Sequence, residues 1–253
     1  MIWVTSKVLD EAGALKVACV SWRATVERFY NGTVFDGLVE EIKRAKKSIH
    51  VVLYIWEKGA ASDRVSAALV ERAKAGVRCA ILVDDLGSPD FEKTVGPSLV
   101  QAGCEVRIFR PMPSTDKLAR NHRKIVIVDG VTTFTGGVGI RDSWLGDGVQ
   151  GEGWRDSNVR FSGPAASEAQ QAFAENWQEA GGALLPADDF PAPVMTGEAS
   201  AAFISSTNSS VVTRAERLTQ LLIASAKKRL SRRTARTRPS CITPSDGIDL
   251  RGA

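Results

Sequence analysis

Histidine is nearly missing from this chain: His50 and His122 are the only two in 253 residues. A metal centre built on several imidazoles therefore has no material here. Cysteine is scarce too. Cys19, Cys79, Cys104 and Cys241 form no C-x-x-C pair. Cys79 and Cys104 lie beside apolar stretches, so buried free thiols are expected rather than disulfides or a zinc site, with a reducing cytosol as the natural compartment. No apolar run approaches the roughly 18–20 residues of a membrane span, and Met1 to Asp10 lacks the charged-then-apolar order of a signal peptide. Basic excess is missing from the body. Residues 227–253 hold eight Lys or Arg against Asp246 and Asp249, so the formal charge of +4 leaves the first 226 residues at −2. Such a body gives no electrostatic argument for nucleic acid.

Against these absences one segment stands out, Asn121 to Asp129 (NHRKIVIVD), followed by Phe134-Thr135-Gly136-Gly137. It spaces His122, Lys124 and Asp129 as H-x-K-x4-D. Residues 124–128 read as a buried strand, Asp129-Gly130 as a hairpin turn and 131–135 as the returning strand. Side chains alternate along a strand, so His122 and Lys124 leave the same face into one site. An imidazole can attack phosphorus while a fixed ammonium beside it holds the phosphate oxygens. In outline this is a phosphodiester site.

The rest of the body alternates helix and strand. Phe35, Leu38, Val39 and Ile42 mark a helix face, and 49–55 an almost wholly apolar strand. A helix around Val65 to Leu69, a strand over 77–83, a helix over 91–102 and a strand over 105–109 follow. After the hairpin come a strand over 158–161 and a helix over 164–179. Two-sided apolar strands between helices predict an α/β fold, a mixed sheet flanked by helices on both faces. His50 lies inside an apolar strand with Val52 where a motif lysine would stand, which predicts a buried structural residue. Asp188 to Ala199 reads as a linker, rich in proline and acid.

The motif and its flanks resemble the phospholipase D superfamily, and within it the cardiolipin synthase-like proteins. Phe35 to Trp56 is similar to that family's opening helix and strand. Gly153-Trp154-Arg155-Asp156 and Ala172 to Trp177 are similar to the elements that close its first half. The resemblance implies a phosphodiesterase or phosphatidyltransferase acting on phospholipids through a phosphohistidine, with no metal or cofactor. His122 would be the nucleophile and Lys124 the phosphate-binding cation. Asp129, the third member of the motif, stands among the catalytic candidates, although turn support is weighed above contact with phosphate. Asp156 would orient the imidazole through Nδ1. Gly136 and Gly137 would let backbone approach the phosphate, although a tight turn explains them nearly as well. One departure follows: the family's asparagine two residues after the second small position is Gly139 here.

The organisation expected is an N-terminal extension over 1–27, a phospholipase D-like domain over 28–186, a linker over 187–200, the start of a second repeat over 201–230 and a basic, disordered tail over 231–253. Relatives carry two halves with one motif each. Here Val211 to Arg229 restarts the helix pattern, but the Arg-rich stretch after it cannot be a buried strand, so a truncated or locally frame-shifted second half is expected. The implied partners are a phospholipid, a second copy of the chain to complete the site, and peripheral contact with the inner face of the cell membrane by a cytoplasmic protein. Nucleic acid is disfavoured. A single-motif nuclease and an inactive half-protein remain as alternatives.

Overall fold

A computed structural model describes residues 2–4, 22–112, 120–148, 154–206, 214–225, 229–230 and 248–249. Among them nine strands form one sheet: β1 (Ile2–Val4), β2 (Trp22–Tyr30), β3 (Ser48–Leu53), β4 (Arg78–Asp84), β5 (Glu105–Phe109), β6 (Lys124–Val128), β7 (Thr132–Gly136), β8 (Ser157–Ser162) and β9 (Ala199–Phe203). Their spatial order is β1-β9-β2-β8-β7-β6-β3-β4-β5. The pairs β3–β4 and β4–β5 are parallel and the others antiparallel, so the sheet is mixed, as the sequence implied.

Helices α1 (Thr33–Arg44), α2 (Ala60–Lys74), α3 (Phe91–Thr94) and α4 (Gly96–Gln101) cover one face, and α5 (Ala165–Glu179) covers the other. Period-two alternation divides the strands between them. Ile49, Val51, Leu53, Val126 and Val128 join Phe35, Ile42 and Leu69. Val52, Ile125 and Ile127 join Phe173 and Trp177. All of β3 and β6 is buried, which is why neither strand shows a polar face in the sequence. The single helix predicted over 91–102 is split at Val95: Pro97 cannot donate the bond that would continue the first turn. No helix of the described residues is long and apolar enough to cross a membrane.

Two boundaries differ from expectation. The domain does not begin at residue 28: β2 starts at Trp22 and lies between β8 and β9, and Ile2–Val4 pairs with β9. The segment 187–200 is more than a spacer, because Asp189 is buried and ion-paired to Arg78, and 199–200 already belong to β9. Then β9 and α6 (Arg214–Ser225) follow in the strand–helix order of β2 and α1. Arg229–Leu230 and Ile248–Asp249 form a two-residue antiparallel pair, β10 with β11. The rest of the tail lies outside the described residues, as do Cys19 and Cys241. Cys79 and Cys104 are buried free thiols.

Candidate active site

The site forms where the chain enters β6. Asp84, at the C-terminal end of β4, accepts the backbone N–H of Asn121 at 3.0 Å through Oδ2 and those of Leu86 and Gly87 through Oδ1. This ties the approach to β6 onto the neighbouring parallel strand. Asn121 Nδ2 donates to Asn176 Oδ1 of α5 at 2.9 Å, and Arg123 donates to the same oxygen and to the Ser206 carbonyl. With these bonds on either side of it, His122 is held exposed against the Tyr54 ring, 4.6 Å between centroids.

Lys124 is buried, and its Nζ lies 3.2 Å from His122 Nδ1, 3.4 Å from Nε2 and 3.2 Å from the His122 carbonyl. Among the described residues no carboxylate reaches within ion-pair distance of this ammonium. Burial brings its pKa down to about 8, against the pull of Asp156. Burial also lowers the His122 imidazole, reinforced by Lys124 and opposed by Asp84. Above the ordinary histidine value and below about 8, the pair is a neutral imidazole beside a charged ammonium. That combines a nucleophile with an anion-binding group. Both face a cavity of about 500 Å³, lined also by Arg120, Arg123, Ile125 and Ile204.

The other predicted site residues divide. Asp129 is not in this site. Five residues along an extended strand from Lys124 is roughly 17 Å, and its carboxylate accepts the backbone N–H groups of Lys46, Lys47 and Ser48 at 2.7–3.1 Å. With Asp129 at φ +54° and Gly130 at φ +71°, the turn has both central residues left-handed, as a two-residue hairpin requires. Asp129 is a structural clamp, so its place among the catalytic candidates is corrected to the turn role. Asp156 lies close enough to act on Lys124, but its carboxylate accepts the Ser157 N–H at 2.7 Å and makes no hydrogen bond to His122. Burial raises its pKa, opposed by that bond and by Lys124.

Gly136 and Gly137 make room for side chains. A Cβ at Gly136 would meet Asn158 Oδ1 at 2.0 Å, and one at Gly137 would meet Asp156 Oδ2 at 2.2 Å. His50, as expected, is structural. Gln170 Nε2 lies 2.8 Å from its Nδ1, Asp189 Oδ2 lies 3.4 Å from its Nε2, and its ring stacks on Phe173. No group of three His, Cys, Asp or Glu side chains among the described residues converges as metal ligands would.

Sequence reasoning missed Asp84, Asn176 and Asn158. Only Asp84 carried a signal: an acid ending an apolar parallel strand stands where open α/β sheets gather their functional groups.

An α/β sheet presents a paired histidine and lysine at the edge of a cavity, an arrangement able to hold an anionic oxygen. Residues 38–177 match the family described as "Cardiolipin synthase, PLD-like domain". That is more than half of the chain, and the chain belongs to this family within the phospholipase D superfamily. Cardiolipin synthase 1 of Bacillus cereus is 36% identical over 167 residues, 64% of this chain and 33% of that protein. The major cardiolipin synthase of Bacillus subtilis is 36% identical over 150 residues, 58% of this chain and 31% of that one. The chain thus spans about a third of the length of these curated relatives. NucT from Helicobacter pylori shares the fold, with a TM-score of 0.50 over 61% of this chain and 96% of that one at 12% identity.

Proposed function

We propose that this chain is a phospholipid phosphodiesterase or phosphatidyltransferase of the cardiolipin synthase type, with His122 as nucleophile. The observation that carries the reading is the His122–Lys124 contact at 3.2 Å, in which a buried ammonium with no carboxylate partner among the described residues leans on an imidazole. An arriving phosphodiester offers that ammonium a better acceptor. As Lys124 turns to a phosphoryl oxygen, the imidazole lone pair is released for attack. A P–N bond forms, the P–O bond to the leaving alcohol breaks, and the departing alkoxide takes a proton from a general acid. Water or a second alcohol then displaces the histidine, giving hydrolysis or transfer.

That general acid does not come from His50, whose two ring nitrogens face Gln170 and Asp189 in the interior. We assign it to a second His122, brought by a second copy of the chain across the phosphodiester. The same reading puts the protein at the cytoplasmic face of the membrane, where the basic stretch after residue 226 suits anionic lipid.

Phosphatidylglycerol vesicles incubated with the protein in EDTA should release glycerol and yield cardiolipin, and mixing in His122→Ala chain should depress activity more than dilution does. Cleavage of DNA with no turnover of lipid would replace this reading with the nuclease one, and full activity in a monomer would remove the shared site.

A further inference from the structure

Asn158 is a buried side chain with a spare donor beside the reacting pair. It is 4% exposed. Its Oδ1 faces the Val138 N–H at 3.4 Å, which orients the amide, and its Nδ2 is fully buried with no hydrogen-bond partner among the described residues. A buried amide donor left unpaired forfeits its hydration with nothing in exchange, so native interiors rarely leave one without a use.

The sheet places this donor in line with the site. Gly136 pairs with Asn158 across β7 and β8, and the β6–β7 register that sets Ile125 opposite Thr135 carries Lys124 to Gly136. Lys124, Gly136 and Asn158 thus form one cross-strand row with their side-chain positions on the same face. The middle position is empty of side chain, and Asn158 leans into it: its Oδ1 would lie 2.0 Å from a Cβ on Gly136. A small cavity of about 30 Å³, walled mainly by apolar side chains such as Phe35, Leu53 and Phe134, has Lys124, Gly136, Gly139 and Asn158 in its lining. It shares Lys124, Thr135 and Gly136 with the large cavity at His122. Its volume suits one water or one phosphoryl oxygen.

Gly139 lines the same space but has no side-chain donor, and none fits. A Cβ there would meet the Ile55 carbonyl oxygen at 2.7 Å and the Trp144 ring at 3.2 Å.

We propose that Asn158 is a substrate-binding residue of this site, its Nδ2 donating to a phosphoryl oxygen that Lys124 holds from the opposite side. Asn158 thereby supplies from β8 the amide that the chain lacks at Gly139. The inference rests on the phosphoryl site argued above.

Calorimetric titration with inorganic phosphate tests it. Asn158→Ala should bind roughly ten- to a hundredfold more weakly than the wild type, the factor for one hydrogen bond to a charged group. Lys124→Ala is the control that should lose at least as much. Because Asn158→Ala also removes the acceptor for Val138 and can fail to fold, a measurement on the wild type stands beside it. The side-chain amide protons of Asn158, found by NMR through their proximity to Gly136, should move downfield as phosphate saturates. Affinity within twofold of wild type in folded Asn158→Ala, or unmoved amide protons at saturation, overturns the proposal. Weakened phosphate binding in a chain that turns over no phospholipid sustains it and sinks the lipid reading alone. Absence of phosphate binding by the wild type sinks both.

Discussion

His50 stands in β3 and His122 just before its neighbour β6, yet their surroundings are opposite in kind. His50 is enclosed: one nitrogen meets Gln170, the other Asp189, and the ring stacks on Phe173 at 4.8 Å. Each of its hydrogen-bonding valences has a fixed partner of the right type. His122 is exposed and meets a cation, so at the edge of a cavity an ammonium has only an imidazole and a backbone carbonyl to donate to among the described residues. On the proposed function a phosphate anion completes that arrangement. The difference between a structural and a reactive histidine therefore lies less in burial than in whether its partners leave anything to be satisfied.

The widest gap between the two should appear in turnover. His122→Ala removes the nucleophile and should lower kcat by about 10⁴-fold or more. Lys124→Ala leaves the imidazole without a fixed cation for the transition-state charge and should cost about 10²- to 10³-fold. His50→Gln should leave kcat within about threefold in folded protein and cost about 0.5–3 kcal/mol of stability. Steady-state assays beside urea unfolding separate these outcomes. A His50 variant that keeps its stability but loses turnover would break the comparison.

A second contrast runs along β6 itself, between Lys124 at its start and Asp129 just past its end. Asp129→Ala removes the acceptor of three backbone N–H groups and puts alanine at φ +54°, so a loss of about 2–3 kcal/mol is expected with kcat unchanged. Asp129→Asn tolerates that φ and keeps one acceptor oxygen, so it should be the milder change. Equal losses in the two variants would show that neither the backbone conformation nor the retained oxygen matters there. Acid should tell the same story around His50. Burial pushes Asp189 up, but hydrogen bonds from His50 and Arg78 bring it down to about 2. Its contribution is therefore complete above the ordinary aspartate value of roughly 4 and fades as pH falls towards 2.

These cases mark what the sequence could disclose. The strand 124–128 was legible to the residue, because an unbroken apolar run ends at Asp129-Gly130 and only a hairpin turn accommodates both. His122 and Lys124 were legible because strand alternation alone unites them. β2 was not. Trp22, Ala24 and Val26 alternate with Arg23, Thr25 and Glu27, but the alternation fails at Arg28 and only Ala24 is buried among 23–30, so its place in the sheet comes from pairing with β8 and β9. Asn158, and the room that Gly136 and Gly137 leave for side chains, escaped because they too depend on strand pairing. That Gly136 yields to Asn158 and Gly137 to Asp156 is a relation between strands twenty residues apart, set by register rather than by spacing. Asp129 was misplaced in the site because its motif position is equally that of a turn residue, and the three amides it binds belong to residues 46–48, far away in sequence.

The finest comparison sets Asp84 against Asp156 as the acid that governs His122. Sequence pointed to Asp156, whereas in the structure it is Asp84 that acts on the imidazole and Asp156 that acts on Lys124. The pH profile of kcat/KM separates them. Activity needs His122 neutral and Lys124 charged, so the profile should be a bell with an acid limb below the ordinary histidine value of roughly 6.5 and a basic limb near 8. Asp84 stabilises the imidazolium. Asp84→Asn should therefore lower the His122 pKa further and slide the acid limb to lower pH, with the rate at the plateau altered by no more than a few-fold. Asp156 stabilises the ammonium, so Asp156→Asn should instead pull the basic limb down and leave the acid limb in place. If Asp156→Asn moves the acid limb and Asp84→Asn does not, then Asp156 rather than Asp84 governs the imidazole in the free enzyme, and the sequence reading of that residue is the one to keep.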